Sequence, residues 1–120
     1  LNIYDDNMYK LMEANMKLQV LVSCMHQQDY SLLEKMNIQT DAIIINQCDI
    51  NKFEDIKYRN NLVKFISLNE RGVGKSRNNA LLRADSDICL FADEDVSYVD
   101  GYEDIIIKAF KKNPDADYII

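Results

Sequence analysis

The chain has 120 residues, of which 48% are apolar, and it carries a formal net charge of −6, with 20 acidic residues against 14 lysines and arginines. This length suits one domain with its own core, and the negative charge argues against a general electrostatic hold on nucleic acid or anionic lipid. An anionic ligand would therefore have to be held locally, by a cation, a metal ion or backbone amides.

The cysteine and histidine content argues against a structural zinc site. Three cysteines stand at positions 24, 48 and 89 without CxxC spacing, and there is one histidine. We predict buried thiols in a reducing compartment. No apolar run reaches the roughly 20 residues that span a bilayer, and the first residues lack the pattern of a secretory signal. The sequence thus predicts a cytoplasmic protein without a membrane segment in this chain, and any membrane association would come from portions outside it.

Short apolar segments predict a series of strands. The segments lie at residues 18–24, 42–46, about 63–68 and 87–92, and a fifth begins in DYII at residues 117–120. Ahead of them, the helical spacing of Tyr4, Met8 and Met12 predicts a helix over residues 3–16. We therefore expect residues 1–17 to form a helical extension and residues 18–120 to form one domain.

Helix signals separate these strands. Asp29 is a candidate cap for a helix that ends at about Met36, and a second helix follows the Gly-rich turn at residues 72–74. Asp100 and Glu103 have capping-box spacing before a third helix. This alternation predicts a three-layer α/β domain with a mostly parallel sheet. Ligands of such sheets gather at the carboxyl ends of the strands, so we expect the loops after these ends to form one polar edge.

The stretch RGVGKSRNNALLRADSDICLFADED, residues 71–95, allows three interpretations. A phosphate-binding loop would need a glycine where Asn69 stands. An aspartate-nucleophile phosphatase of the haloacid-dehalogenase type would use Asp93 as the nucleophile and Asp95 as the general acid, but that motif normally opens its domain. In the third interpretation, the acidic residues hold a divalent ion that neutralises a diphosphate.

The third interpretation is supported by a family resemblance. The run ERGVGKSRNNALLRADSDICLFADEDV resembles the segment of family 2 glycosyltransferases in which a Gly-containing turn leads to a Ser/Ala-Arg-Asn helix start, a strand and an Asp-x-Asp motif. LQVLVSCMHQQDY and AIIINQCD resemble that family's first strand and its second strand with an acidic tetrad. The resemblance covers about residues 18–120, and it implies the nucleotide-binding half of a GT-A fold, which is Rossmann-like.

The resemblance also implies roles for individual residues. Asp95 is the expected ligand of Mn²⁺ or Mg²⁺, with Asp93 sharing the ion and lying nearer the ribose. Glu94, the variable middle position, is expected in the same donor-nucleotide site. Arg77 would face the base or the diphosphate, and Ser23 would line the nucleoside pocket.

The sequence departs from the family pattern at Gln47. The family usually has an aspartate there, which accepts a hydrogen bond from a uracil or thymine imide. An amide oxygen can accept the same bond, so the base preference stays open. Met25 and His26 also replace a more usual aromatic residue and asparagine.

The implied activity is transfer of a hexosyl-type sugar from a metal-bound nucleoside-diphosphate sugar to the hydroxyl of an acceptor glycan, lipid or protein. The catalytic base and the acceptor site belong to a second half that this chain does not supply. We therefore expect the chain to bind its donor but to transfer sugar slowly or not at all. The alternative is a non-catalytic interaction domain that keeps the fold without the nucleotide.

Overall fold

The computed structural model describes residues 16–113. The predicted strand at DYII and the predicted helix of residues 3–16, except for its last residue, lie outside this range. Five strands and three helices follow one another along the described chain. The strands are β1 (Leu18–Met25), β2 (Asp41–Gln47), β3 (Lys52–Tyr58), β4 (Asn61–Leu68) and β5 (Ile88–Asp93). The helices are α1 (Ser31–Lys35), α2 (Val73–Arg83) and α3 (Tyr102–Lys112).

The strands form one mixed sheet in the order β3-β4-β2-β1-β5. β1 pairs in parallel with both β2 and β5, and β2 pairs in parallel with β4. The predicted α/β class and mostly parallel sheet are therefore confirmed. The four parallel strands also end at a common edge, which brings together the loops predicted to meet there.

The antiparallel strand β3 was not predicted. It pairs with β4 through a two-residue turn at Arg59 and Asn60, both of which have positive φ, as in a type I′ hairpin. β3 is an edge strand of mostly charged and half-exposed residues, so it lacks the apolar run that identified the other strands. Its position at the edge explains why a polar sequence can be a strand here.

The sheet buries apolar side chains on both faces, because alternate residues of a strand point to opposite sides. The face covered by α1 and α3 contains the larger cluster, and the other face packs against Ala80 of α2. In β1 and β2 the first cluster takes even-numbered positions and the second takes odd-numbered ones, and in β4 this numbering is reversed. These residues include Val20, Val22, Ala42 and Ile44 in the first cluster and Leu21, Ile43 and Ile45 in the second.

The predicted capping box at the start of α3 is wrong. Gly101, at φ 78, occupies the cap position, and no side chain caps the helix. The Asp100 carboxylate instead accepts a hydrogen bond from Asn37 Nδ2 at 2.8 Å. The segment before α3 is tied to the end of α1 by tertiary contacts, which replace the local cap.

The predicted burial of the three thiols is confirmed only for Cys24. Cys48 and Cys89 are half-buried, and all three cysteines are free. Cys48 follows β2 in a surface loop, whereas Cys89 lies in β5, at the edge of the sheet. No helix in residues 16–113 is long and apolar enough to cross a membrane.

Candidate functional site

Three predicted site residues meet where the parallel strands end. Ser23 of β1 lies in register with Asp93 of β5, and Gln47 ends the neighbouring strand β2 beside Met25. Ser23 and Gln47 follow Leu21 and Ile45 by two positions, so their side chains lie on the face covered by α2. The side chains of Ser23, Gln47 and Asp93 thus share one face of one sheet edge, although they are 24 to 70 positions apart in the sequence.

The first turn of α2 holds two of these residues. Gly72, at φ 120, turns the chain into the helix, a conformation that favours glycine. Its carbonyl oxygen accepts a hydrogen bond from Gln47 Nε2 at 2.9 Å. One turn later, Ser76 is buried and its hydroxyl donates to Ser23 Oγ at 2.7 Å. Sequence reasoning did not single out Ser76, although it is the serine of the Ser-Arg-Asn segment and could have been found there.

The amide of Gln47 has a defined orientation. Within the described residues no donor bonds its Oε1, because its one hydrogen bond runs from Nε2 to Gly72. No fully buried side-chain nitrogen or oxygen atom in residues 16–113 lacks a partner, so Oε1 retains some accessible surface. Gln47 therefore presents a hydrogen-bond acceptor at the edge of the sheet.

Arg77 lies in the second turn of α2, not at the start of the helix as expected. Its guanidinium stands over the ring of Phe91, 5.8 Å from the ring centroid. Phe91 precedes Asp93 by two positions in β5, so the arginine lies on the same face of the sheet as that carboxylate. Glu70, an acidic residue just before α2, accepts a hydrogen bond from Asn79 Nδ2 at 2.9 Å and does not pair with Arg77. The charge of Arg77 is exposed beside the acidic turn.

The acidic turn after β5 separates its three carboxylates. Val96 N donates to Asp93 O at 3.1 Å and closes the turn. Glu94 Oε2 accepts hydrogen bonds from Met25 N at 3.3 Å and from Gln27 Nε2 at 3.2 Å. Asp93 and Asp95 are exposed, and their carboxylates have no hydrogen-bonding partner among the described residues. Glu94 thus fastens the turn to the loop after β1, and the two aspartates point to solvent.

The two aspartates suit one kind of metal ion. No group of three or more His, Cys, Asp or Glu side chains in residues 16–113 is arranged to hold a metal by itself. However, Mg²⁺ usually keeps several waters and is bound by one or two carboxylates together with the phosphates of a substrate. The oxygen donors of Asp93 and Asp95 fit an ion that arrives with a phosphate ligand.

The opposite face of the same edge has a different character. Asn46, next to Gln47, is buried and its Oδ1 accepts from Gln27 N at 2.9 Å, while its Nδ2 donates to Gln27 O at 3.0 Å and Ser67 Oγ at 3.2 Å. These bonds fold the loop after β1 back onto β2. Beside the loop lies an open cleft of about 480 Å³ whose lining includes Asn46, Phe65 and Tyr30.

The cleft does not include the predicted donor residues. The side chains of Ser23, Gln47, Arg77 and Asp93 lie across the sheet edge from it. The exposed aspartates and the free acceptor of Gln47 are chemically distinctive, whereas Asn46 in the cleft is saturated by the chain itself. We therefore take the face covered by α2 as the candidate site.

His26 links the two faces through its backbone. It has a positive φ of 52, and its N–H donates to Gln47 O at 2.9 Å, which extends the pairing of β1 with β2. Its side chain lines the cleft. Within the described chain no hydrogen bond or ion pair of the imidazole orients it as a base.

Cys24, on the opposite face, is buried beneath the end of β1. Its Sγ lies 3.5 Å from Ile45 O and 3.9 Å from Asn46 Oδ1. Burial, reinforced by the negative charge of Glu94, raises the pKa of the Cys24 thiol from 9.0 to about 12. Such a thiol is neutral and unreactive at ordinary pH.

Comparison of the chain with protein families, with curated proteins and with solved structures finds no match.

Proposed function

We propose that the chain is the donor-binding part of a glycosyltransferase and that it binds a metal-bound nucleoside-diphosphate sugar at the edge formed by Ser23, Gln47 and Asp93. The observation that carries the proposal is the convergence of these residues on one face, where β1 separates β2 and β4 from β5. The strand order reverses at this point, and open α/β sheets bind their ligands at the carboxyl ends of strands beside such a reversal.

Gln47 supports recognition of a base with an imide-type N–H. Its Nε2 donates one of its two N–H groups to Gly72 O, which orients the amide, and its acceptor Oε1 has no partner among the described residues. Uracil and guanine present a ring N–H to such an acceptor, whereas the Watson–Crick edges of cytosine and adenine have a bare ring nitrogen there. UDP and GDP are therefore the preferred nucleotides under this proposal.

The acidic turn supports a role for a divalent ion. A chain with a net charge of −6 repels a diphosphate unless a cation intervenes. Asp93 and Asp95 would hold Mn²⁺ or Mg²⁺, and the ion would neutralise charge on the diphosphate leaving group. Arg77, exposed on the same side, is a candidate for a direct cationic contact. The proposal thus gives Gln47, Arg77, Asp93 and Asp95 each a chemical task, whereas Glu94 holds the acidic turn to Met25 and Gln27.

Among residues 16–113, the groups around the candidate site do not supply the other half of the reaction. Transfer needs a carboxylate or imidazole that removes the proton of the acceptor hydroxyl. Asp93 and Asp95 are assigned to the ion, Glu94 is bound to the loop after β1, and His26 faces the cleft on the other side. We therefore expect donor binding without efficient transfer, in a domain of the GT-A type.

Isothermal titration of the chain tests this proposal. UDP, GDP, CDP and ADP are titrated with and without Mn²⁺, and the series is repeated on Asp93→Asn and Asp95→Asn. We expect UDP or GDP to bind only with Mn²⁺ and each aspartate variant to lose at least about tenfold in affinity, since a buried or metal-bound charge contact contributes more than about 1.4 kcal/mol. Asp55→Asn, the same change at an exposed site in β3, is the matched control and should bind like the wild type.

Three results would contradict the proposal. Absence of binding by a chain that unfolds cooperatively would favour the non-catalytic interaction domain. Binding that is unaffected by Mn²⁺ and by both aspartate variants would place the ligand elsewhere, with the cleft beside Asn46 as the next site to test. Efficient sugar transfer by the purified chain would show that the catalytic base is already present.

A further inference from the structure

The first turn of α2 contacts the candidate site in two places. Gly72 O lies 2.9 Å from Gln47 Nε2, and Ser76 Oγ lies 2.7 Å from Ser23 Oγ. Both contacts join residues more than 20 positions apart, and Ser76 is 1% exposed. The turn therefore holds the two strand ends through hydrogen bonds on the face of the sheet that carries the candidate site.

The hydrogen bonds that Gly72 O already accepts determine which hydroxyl is the donor in the contact between Ser76 and Ser23. Serine hydroxyls in helices commonly donate to the carbonyl four residues earlier, which for Ser76 is Gly72 O. That oxygen already accepts from Ser76 N at 3.1 Å and from Gln47 Nε2, and a carbonyl oxygen has two lone pairs. The Ser76 hydroxyl is thereby left to donate to Ser23 Oγ.

This direction leaves the Ser23 proton free. A hydroxyl has one donor and two acceptor sites. Because Ser23 Oγ accepts from Ser76, its own hydrogen is available to a ligand, and no described residue takes it. Gln47 offers an acceptor instead, because Gly72 O accepts one of the two N–H groups of its Nε2 and its Oε1 has no partner among the described residues.

We infer that Ser76 is a positioning residue that makes Ser23 a hydrogen-bond donor to the nucleotide, while Gly72 O orients Gln47 so that its acceptor Oε1 is available. This inference rests on the proposed function, and it adds that the site is selective for ligands that offer an N–H to Gln47 and an oxygen to Ser23. A nucleoside with an imide N–H and ribose or carbonyl oxygens has both groups.

A double-mutant cycle tests the role of Ser76 directly. UDP with Mn²⁺, or GDP if the wild type prefers it, is titrated into the wild type, Ser23→Ala, Ser76→Ala and the double variant. Each single variant should weaken binding about fivefold, the usual effect of one hydrogen bond. The double variant should be no weaker than Ser23→Ala, since Ser76 acts only through that hydroxyl.

Controls separate positioning from a general loss of structure. Ser97→Ala removes an exposed hydroxyl and should leave affinity unchanged. Ser76→Thr keeps the hydroxyl and should restore at least part of the affinity lost in Ser76→Ala, even if its extra methyl group lowers the melting temperature. Loss of affinity that follows the melting temperature, and not the presence of the hydroxyl, would indicate a packing role only.

The outcomes distinguish this inference from the proposed function. If the folded wild type binds none of the nucleotides, the proposed function fails and the inference fails with it. If the wild type binds but Ser76→Ala binds equally well, or if the two losses multiply to about 25-fold in the double variant, the proposed function stands and the positioning role is excluded.

Discussion

Asn46 and Gln47 are consecutive residues of β2 with the same amide chemistry, and both are almost fully buried, at 1% and 5% exposure. They point to opposite faces of the sheet. Asn46 uses both its oxygen and its nitrogen to hold the loop after β1 and Ser67, whereas Gln47 uses only its nitrogen, on Gly72. One amide is a structural clamp, and the other leaves an acceptor for a ligand.

The difference follows from how the chain covers each face. After β1 the chain turns directly towards α1, so the loop folds over Asn46 and satisfies it. On the other face α2 arrives from β4 and meets the strand ends only with its first turn, through Gly72 and Ser76. A polar residue at the end of a strand therefore acquires a role only from the element that passes over it.

The largest expected effect is a difference in stability between the alanine variants of Asn46 and Gln47. Asn46→Ala removes the bonds to Gln27 and Ser67 and leaves Gln27 N without its partner, so we expect the free energy of unfolding to fall by about 2–4 kcal/mol. Gln47→Ala removes one bond, to Gly72 O, and should lower the free energy of unfolding by about 1 kcal/mol. Urea denaturation of both variants gives the two values. A larger loss for Gln47→Ala than for Asn46→Ala would reverse the assignment of clamp and ligand contact.

An intermediate effect is a pH dependence of stability that comes from the buried thiol of Cys24, on the face opposite the candidate site. The Cys24 thiol has a pKa of about 12 in the folded chain against 9.0 for an ordinary thiol. Its raised pKa means that its contribution to stability is complete below pH 9 and is lost between pH 9 and about 12, because only the unfolded chain ionises there. From pH 8 to pH 10 the wild type should therefore lose about 1 kcal/mol more stability than Cys24→Ala.

Urea denaturation at the two pH values measures this loss. Cys48→Ala retains Cys24 and should keep most of the wild-type dependence, because Cys48 is the smallest of the three causes that raise the pKa of the Cys24 thiol. The burial of Cys89 also raises the pKa of its thiol, so this residue adds to the alkaline loss in every variant that contains it. Equal pH dependence in the wild type and in Cys24→Ala would mean that water reaches the Cys24 thiol, which would contradict its burial in the structure.

The smallest effect on stability is expected for Arg77, on the face that carries the candidate site. Arg77→Lys keeps the charge but loses the planar group that stacks on Phe91, and exposed contacts of this kind contribute about 0.5–1 kcal/mol. We expect a change of less than about 1 kcal/mol in the free energy of unfolding. Under the proposed function, affinity for the metal-bound nucleotide should fall by more than that. A stability loss above about 2 kcal/mol without a change in affinity would make Arg77 a structural residue.

The sequence predicted strands best where both faces of the strand are buried. The segments of β1, β2, β4 and β5 are apolar on both faces, so their periodicity is simple and their predicted positions are confirmed to within two residues at each end. β3 was missed because an edge strand exposes much of its surface and needs no apolar run. The capping box failed because Asp100 finds Asn37, a partner 63 positions away that local spacing cannot reveal.

The candidate site was predicted in part. The motif directed attention to Arg77, Asp93 and Asp95, and the family pattern added Ser23 and Gln47. Ser76 was overlooked although it stands in the Ser-Arg-Asn segment, because the segment does not show that this serine is buried against Ser23. Glu94 was placed with its neighbours in the donor site, although its carboxylate bonds the backbone and side chain of the loop after β1.

By itself, the sequence determined the α/β class, the parallel strands and the set of polar residues that follow them, because these depend on local periodicity and on the direction of the chain. Only the tertiary structure decided which of those residues face the same side and what satisfies each of them. A strand alternates its faces at every residue, so Asn46 and Gln47 differ by one position in the sequence and by a whole sheet in space. The hydrogen bonds from Gly72 and Ser76 then determine which polar groups remain for a ligand.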